Sequence, residues 1–327
     1  MRTLIRWGIL GPGKIAHSFA GDLELVETGV LNAVASRSME RATAFAETYD
    51  APYVFDDYDA MLASDTIDVV YIATPHTGHE MWALKAMEQG KHVLCEKPLG
   101  INRSQVERMI ACAKKNGVFL MEALWTRFNP SIQKIKQLVD AKKIGEIGYL
   151  HADFAFYGLD KGEEGRLLNP ELAGGSLLDI GIYPIFLSYL LLGKPKNIQS
   201  SVNIHHTGAE VQAAMLFDYG NTKALLYSGL TSNSEMRAEI QGTGGTIFID
   251  SRWHETQGFS VIMDGVTKEY GLPTTGKGYS HEINEVHSCL QSGQLESEQW
   301  CHANSLDLIT LLDTVRQQSN IVFPFEK

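Results

Sequence analysis

A glycine-punctuated turn near the start of the chain constrains the fold more than any other stretch. The apolar run Ile5-Arg6-Trp7-Gly8-Ile9-Leu10 leads into Gly11-Pro12-Gly13-Lys14-Ile15, and Ile15, Ala16, Phe19 and Leu23 then recur at helical spacing. This is the order strand, tight turn, helix start. In Gly11-x-Gly13-x-x-Ala16, Gly11 permits the turn, Gly13 lets the backbone approach a pyrophosphate, and Ala16 lets helix and strand pack closely. A helix beginning here offers unpaired N–H groups and a partial positive charge to phosphates. The stretch predicts a dinucleotide-binding unit, so the rest of the chain is searched for a ribose contact and a reacting group.

A chain of 327 residues is long enough for two domains, each with its own core. Its 28 basic and 39 acidic residues give a net charge of −11 without a basic tract, which argues against nucleic-acid and anionic-membrane partners. No apolar stretch approaches the about 20 residues of a membrane span, and the first apolar run breaks at glycines unlike a signal peptide. Cys95, Cys112, Cys289 and Cys301 are widely spaced, as expected of free thiols in a reducing cytoplasm. The eleven histidines include no His-x-x-x-His pair on a helix, and His205 and His206, adjacent on an expected strand, should point to opposite faces; no metal site is expected.

Through the first half, strands and helices alternate. Gly29 to Ala35 reads as a strand ending in Ser36-Arg37, and Met39 to Tyr49 as a helix carrying Arg41. About twenty residues after such glycines, NAD sites place a carboxylate on the ribose 2′-hydroxyl. This chain has Ser36 and Arg37 there, with Arg41 one turn on, a pattern that favours the 2′-phosphate of NADP. Further strands cover Tyr53 to Phe55, Asp68 to Ala73, Gly90 to Cys95 and Gly117 to Glu122, with helices between them. The pattern predicts a doubly wound parallel sheet whose ligand lies beyond the carboxyl ends of the strands. Thr74, Pro75, His76 and His79, the Glu96-Lys97-Pro98 run, and the residues from Glu122 onward fall at those ends.

The glycine turn, Ser36-Arg37 and Gly90-Lys91-His92-Val93-Leu94-Cys95-Glu96-Lys97-Pro98 together resemble the Gfo/Idh/MocA oxidoreductases over the whole chain. Met121 to Pro130, with Trp125 and Arg127, and Gly174 to Pro184, with Asp179 and Tyr183, resemble the dihydrodiol dehydrogenase and D-xylose dehydrogenase branch. Much of the wider family has a histidine where this chain has Tyr183 and an acid where it has Phe186, so the resemblance implies a tyrosine-based mechanism. It also implies an N-terminal Rossmann domain over 1–122, binding cofactor through Gly11 to Ile15, Ser36, Arg37, Arg41, Thr74, Pro75, His76, His79, Glu96, Lys97, Trp125 and Arg127. The remainder, 123–327, would be an α+β domain for substrate binding and homodimerisation.

The second half fits that expectation. Gly175 to Leu192 reads as a helix, and short alternating runs over Leu150 to Tyr157, Ile198 to His206, Glu210 to Tyr219, Thr222 to Thr231, Met236 to Gln241, Thr246 to Asp250 and Phe259 to Gly271 predict a large, mainly antiparallel open sheet. Helices are expected over His281 to Gln291 and Asn304 to Ser319. Asp179 and Tyr183 would lie one helical turn apart. A phenol has a pKa near about 10, which a neighbouring ammonium lowers, so Tyr183 is the expected proton carrier, Lys97 its tuning cation, and Asp179 the residue that orients substrate or balances Lys97. Trp125, Phe154, Phe156, Tyr157 and Tyr279 are the candidate pocket wall, although each could equally be core. The expected activity is hydride transfer to or from a sugar, trans-dihydrodiol or dicarbonyl with NADP, and the alternatives are a catalytically silent sensor on the same fold or a different sugar-derivative reductase of the family.

Overall fold

The structure is a computed structural model and describes residues 4–326. The chain divides into two compact units, residues 4–128 with Thr274–Leu306, and Asn129–Pro273 with residues 307–326.

In the first unit six parallel strands alternate with helices. They are β1 (Ile5–Leu10), α1 (Lys14–Leu23), β2 (Gly29–Ala35), α2 (Met39–Thr48), β3 (Tyr53–Phe55), α3 (Tyr58–Ala63), β4 (Val69–Ile72), α4 (His79–Glu88), β5 (His92–Glu96), α5 (Arg103–Asn116) and β6 (Leu120–Ala123). The sheet order β3-β2-β1-β4-β5-β6 reverses direction between β1 and β4, the switch point of a doubly wound fold. The central strand β4 is buried throughout, which is why its sequence reads as an unbroken apolar run. Local capping sets the helix ends: Asn102 accepts the Gln105 N–H to start α5, and Gly117, at φ +63°, ends it.

The second unit contains α6 (Pro130–Asp140), β7 (Ile147–Ala155), α7 (Ile182–Leu192), β8 (Asn197–Ile204), β9 (Glu210–Asp218), β10 (Lys223–Gly229), β11 (Ala238–Gly242), β12 (Gly245–Ile249), β13 (Gly258–Met263) and β14 (Val266–Gly271). Eight strands pair in the order β14-β13-β12-β11-β7-β10-β9-β8, and every pairing is antiparallel except β7 with β10. One face carries α7. On the strands Leu225 and Phe248 stand 43% and 37% exposed.

The chain ends with α8 (Tyr279–Gln291) and α9 (His302–Gln318). The sequence reading divided the chain at 122/123 and gave both to the second domain; α8 and the start of α9 instead belong to the first unit. The Asp22 carboxylate on α1 accepts the Tyr279 and Ser280 N–H groups at 2.7 and 3.2 Å, capping α8 from 257 residues away in the chain. Such pairing leaves no local signature.

Three further local differences have physical causes. The expected strand Phe259 to Gly271 is a hairpin, because Asp264 and Gly265 adopt φ values of +50° and +73° in a two-residue turn. The expected helix from Gly175 begins instead as one wide π-type turn over Leu177–Gly181, held against the sheet where Gly181 meets Ser228 so closely that an added Cβ would sit 2.8 Å from the hydroxyl. Asn129 caps α6 with Pro130 in its first turn, a start signal that the sequence reading passed over.

Candidate active site

The glycine turn has the geometry its spacing predicts. Gly11 is at φ +92°, and an added Cβ would lie 3.1 Å from the Ala73 carbonyl. At Gly13 an added Cβ would meet nothing within 4 Å, so the backbone faces open space at the start of α1. Pro12 is buried between them while Lys14 and Ile15 are exposed. Thr74, beyond β4, adds a buried hydroxyl oxygen with no hydrogen-bond partner among the described residues. An open backbone approach, a helix start and an unsatisfied hydroxyl fit a pyrophosphate group.

Beyond β2, Ser36 is buried and its hydroxyl accepts the Ser38 N–H, while Ser38 in turn caps α2 through the Arg41 N–H. Arg37 and Arg41 are exposed, and both act on the phenol of Tyr58. Burial pushes the Tyr58 pKa up; the two guanidinium charges, with a hydrogen bond from Arg37, pull it back. Two cations without a carboxylate at this strand end suit a phosphate better than a bare ribose diol.

At the ends of β5 and β6 two acids surround Lys97. Tyr71, stacked on Phe19 at 3.7 Å, donates a hydrogen bond to Glu96, and the Lys97 N–H donates to the other oxygen of that carboxylate at 3.2 Å. Glu122 accepts hydrogen bonds from Leu99 N–H, Trp300 Nε1 and Ser305 Oγ. Burial pushes Glu122 up, and those bonds with the Lys97 charge hold it back. Glu282 on α8 is fully buried, and neither of its carboxyl oxygens has a hydrogen-bond partner among the described residues. Burial, reinforced by the charges of Glu96 and Asp22, pushes its pKa well above the ordinary carboxylate value.

His79 is held by the backbone of two neighbouring turns. It is fully buried, with Nδ1 2.8 Å from the Pro98 carbonyl and Nε2 2.9 Å from the Thr74 carbonyl. Burial pushes its pKa down ahead of those two acceptors. The ring braces the turns after β4 and β5, and His76 lies edge-on to it at 5.6 Å. Pro75, between Thr74 and His76, is exposed. Trp125 stacks on Tyr279 at 5.0 Å, and Arg127 donates through Nε to the Gln299 carbonyl at 2.9 Å, tying the turn after β6 to the segment before α9.

In the second unit, Asp179 sits in the π-type turn, and Arg166 from the preceding loop holds its carboxylate at 2.7 Å. The Tyr183 ring, at the start of α7, lies 5.5 Å from both Phe154 and His254. Phe154 stacks on His254 at 4.1 Å and meets Phe156 at 6.5 Å. Tyr157 stands 49% exposed, its N–H bonded to Asn233, and it has no part in this ring cluster. The candidate wall therefore divides: Trp125 and Tyr279 belong to the first unit, Phe154 and Phe156 to the second.

Two family models match the chain. The one described as oxidoreductase family, NAD-binding Rossmann fold, spans residues 5–124, and the GFO/IDH/MocA C-terminal domain spans 132–248. Over 99% of this chain and 100% of the relative, scyllo-inositol 2-dehydrogenase (NADP(+)) IolU of Bacillus subtilis is 35% identical. The chain belongs to the GFO/IDH/MocA oxidoreductase family. Trans-1,2-dihydrobenzene-1,2-diol dehydrogenase of Xenopus tropicalis is 34% identical over 98% of this chain and 99% of that protein. Among solved structures, KijD10, a 3-ketoreductase from Actinomadura kijaniata in complex with NADP and TDP-benzene, superposes with a TM-score of 0.87 at 26% identity, covering 97% of this chain and 98% of that one. This member of the GFO/IDH/MocA family therefore resembles the dihydrodiol dehydrogenase branch over its whole length, and it is an oxidoreductase with a NAD-binding Rossmann domain.

Sequence reasoning missed Tyr58, Arg166 and His254. Tyr58 opens α3 one residue after its Asp57 cap, and only the fold brings it to the arginines. Arg166 lay in a charged loop without periodicity, and His254 in a short turn after β12.

Proposed function

We propose that this chain is an NADP-linked dehydrogenase or reductase acting on the CH–OH or C=O group of a sugar, cyclitol, trans-dihydrodiol or related dicarbonyl. The observation that carries the reading is Arg37 and Arg41 gathered on Tyr58 beyond β2, where an NAD site would have a carboxylate. It stands in a chain whose full-length relatives include an NADP(+) inositol dehydrogenase and dihydrodiol dehydrogenases. Those two names share one substrate pattern, adjacent oxygens on a six-membered ring.

On this reading the Gly11 to Ile15 turn holds the pyrophosphate, Ser36, Arg37 and Arg41 hold the 2′-phosphate, and the turn with Thr74, Pro75 and His76 borders the nicotinamide. The nicotinamide, when bound, supplies the hydride acceptor or donor. Tyr183 Oη takes the hydroxyl proton during oxidation and returns it to the carbonyl oxygen during reduction. Lys97 holds that oxygen and favours the phenolate through its charge. Asp179, fixed by Arg166, orients the neighbouring hydroxyl. Trp125, Phe154 and Phe156 offer aromatic faces to ring C–H groups.

The four cysteines are free, which suits a reducing cytoplasm, and no described helix is long and apolar enough to cross a membrane. The face carrying Leu225 and Phe248 would be covered in a homodimer, and Leu225→Glu would convert that dimer to monomer.

The test is steady-state oxidation of scyllo-inositol, D-xylose, D-glucose and a trans-dihydrodiol with NADP and NAD, by wild type and Tyr183→Phe. Turnover with NADP that collapses in the variant while NADPH still binds supports the reading. Undiminished turnover in the variant removes the tyrosine from the mechanism. Tight NADPH binding with no turnover on any substrate makes the chain a sensor.

A further inference from the structure

His205 and His206 do not diverge as strand neighbours would. β8 ends at Ile204, and the two histidines lie in the turn that follows, closed by His205 N–H to the Ala209 carbonyl at 2.8 Å and Gly208 N–H to the His205 carbonyl at 2.9 Å. Freed from strand alternation, their rings face each other with centroids 3.9 Å apart. His206 Nε2 meets Glu163 Oε1 at 2.8 Å, and Glu163 comes from the 158–169 loop, 43 residues away. One donor atom from each of the three side chains lies within 4.8 Å of the other two.

We propose that Glu163, His205 and His206 form a divalent transition-metal site that clips the 158–169 loop to the turn between β8 and β9. Two imidazole nitrogens and one carboxylate oxygen are a donor set that zinc accepts, with water completing the tetrahedron. Around zinc such atoms stand about 3.3 Å apart, so closure requires shifts on the order of 1.5 Å. Glu163 and His206 are exposed and free to swing that far. His205 Nδ1 meets the Thr207 hydroxyl at 3.1 Å and the Thr207 N–H at 3.4 Å, contacts that orient the ring. The clipped loop is the one that supplies Arg166 to Asp179, so an ion here restrains the segment bearing that guanidinium.

The test titrates zinc chloride into the full chain against a chromophoric chelator, for wild type, Glu163→Gln and His206→Ala. Both substituted residues lie on the surface, and binding is read without turnover, so the outcome is independent of the proposed reaction. The expected result is one zinc bound by wild type and at least about tenfold weaker binding in each variant. In parallel, zinc should slow tryptic cleavage after Lys161 in wild type and leave the rate in His206→Ala unchanged. Equal affinity in wild type and both variants, no zinc bound by wild type, or a cleavage rate indifferent to zinc would each overturn the proposal.

Discussion

The Glu210 carboxylate accepts the Leu177 N–H at 2.7 Å, tying β9 to the turn that carries Asp179. The Ser176 hydroxyl, 2.9 Å from that of Ser228, donates to the same carboxylate at 2.8 Å. Burial pushes Glu210 from 4.5 up to about 7, with those hydrogen bonds opposing the rise. A carboxyl with a raised native pKa binds its proton more tightly folded than unfolded. Its contribution is therefore complete below pH 4.5 and is lost as pH rises through about 7, a loss on the order of 3 kcal/mol. Glu210→Gln keeps an acceptor for Leu177 and cannot ionise. Urea unfolding across this range should show a shallower decline of stability with pH in the variant than in wild type; identical slopes would rule out the raised pKa.

Replacing Arg37 or Arg41 with alanine should separate the two nicotinamide cofactors. Each guanidinium that contacts a 2′-phosphate contributes roughly 1.5–3 kcal/mol, so KM for NADP should rise by about tenfold or more per substitution. KM for NAD, which lacks that phosphate, should hardly move. A parallel rise for both cofactors would mean that the arginines support the strand end rather than read the phosphate. Tyr58→Phe, which removes the hydroxyl that Arg37 binds, should have a smaller effect of the same sign.

The Arg166–Asp179 pair joins a side chain 57% exposed to one only 9% exposed. Arg166→Ala leaves the shielded carboxylate without that cation, and kcat/KM should fall by about tenfold, roughly 1.4 kcal/mol. Arg166→Lys, which keeps the charge without the planar fork, should recover part of the loss. Thermal stability should change little, because the arginine is largely in solvent. Unchanged kinetics in the alanine variant would show that Asp179 needs no fixed orientation.

What could be read from the sequence was what the local chain determines. The Gly11 turn, the arginines after β2 and the strand ends at Thr74 and Lys97 follow from spacing and periodicity, and the parallel sheet follows from the alternation of strands and helices. The π-type turn at Leu177–Gly181 was invisible because Glu210 and Ser228, distant in sequence, impose it. A histidine at a strand end, as His79 is, looks alike in sequence whether it meets a ligand or two backbone carbonyls. The Asp264-Gly265 hairpin and the Asn129-Pro130 cap carried readable signals that the apolar pattern around them masked. Arg166 and His254 come from segments without periodicity, where only the closed fold selects a partner.

The cap that Asp22 places on α8 also dictates an order of events at the ribosome. An emerging N-terminal stretch can assemble its parallel strands, yet Asp22 has no N–H groups to receive until Tyr279 and Ser280 have been made. Trp7 waits for the His287 ring that accepts its indole proton at 2.9 Å, and Glu122 waits for Trp300 and Ser305. All the strands of the second unit are translated in the interval. The domain begun first is thus among the last to be finished, and during synthesis its buried acids stand open to water, where ionisation is cheap. Only the arrival of the final helices commits them to the interior.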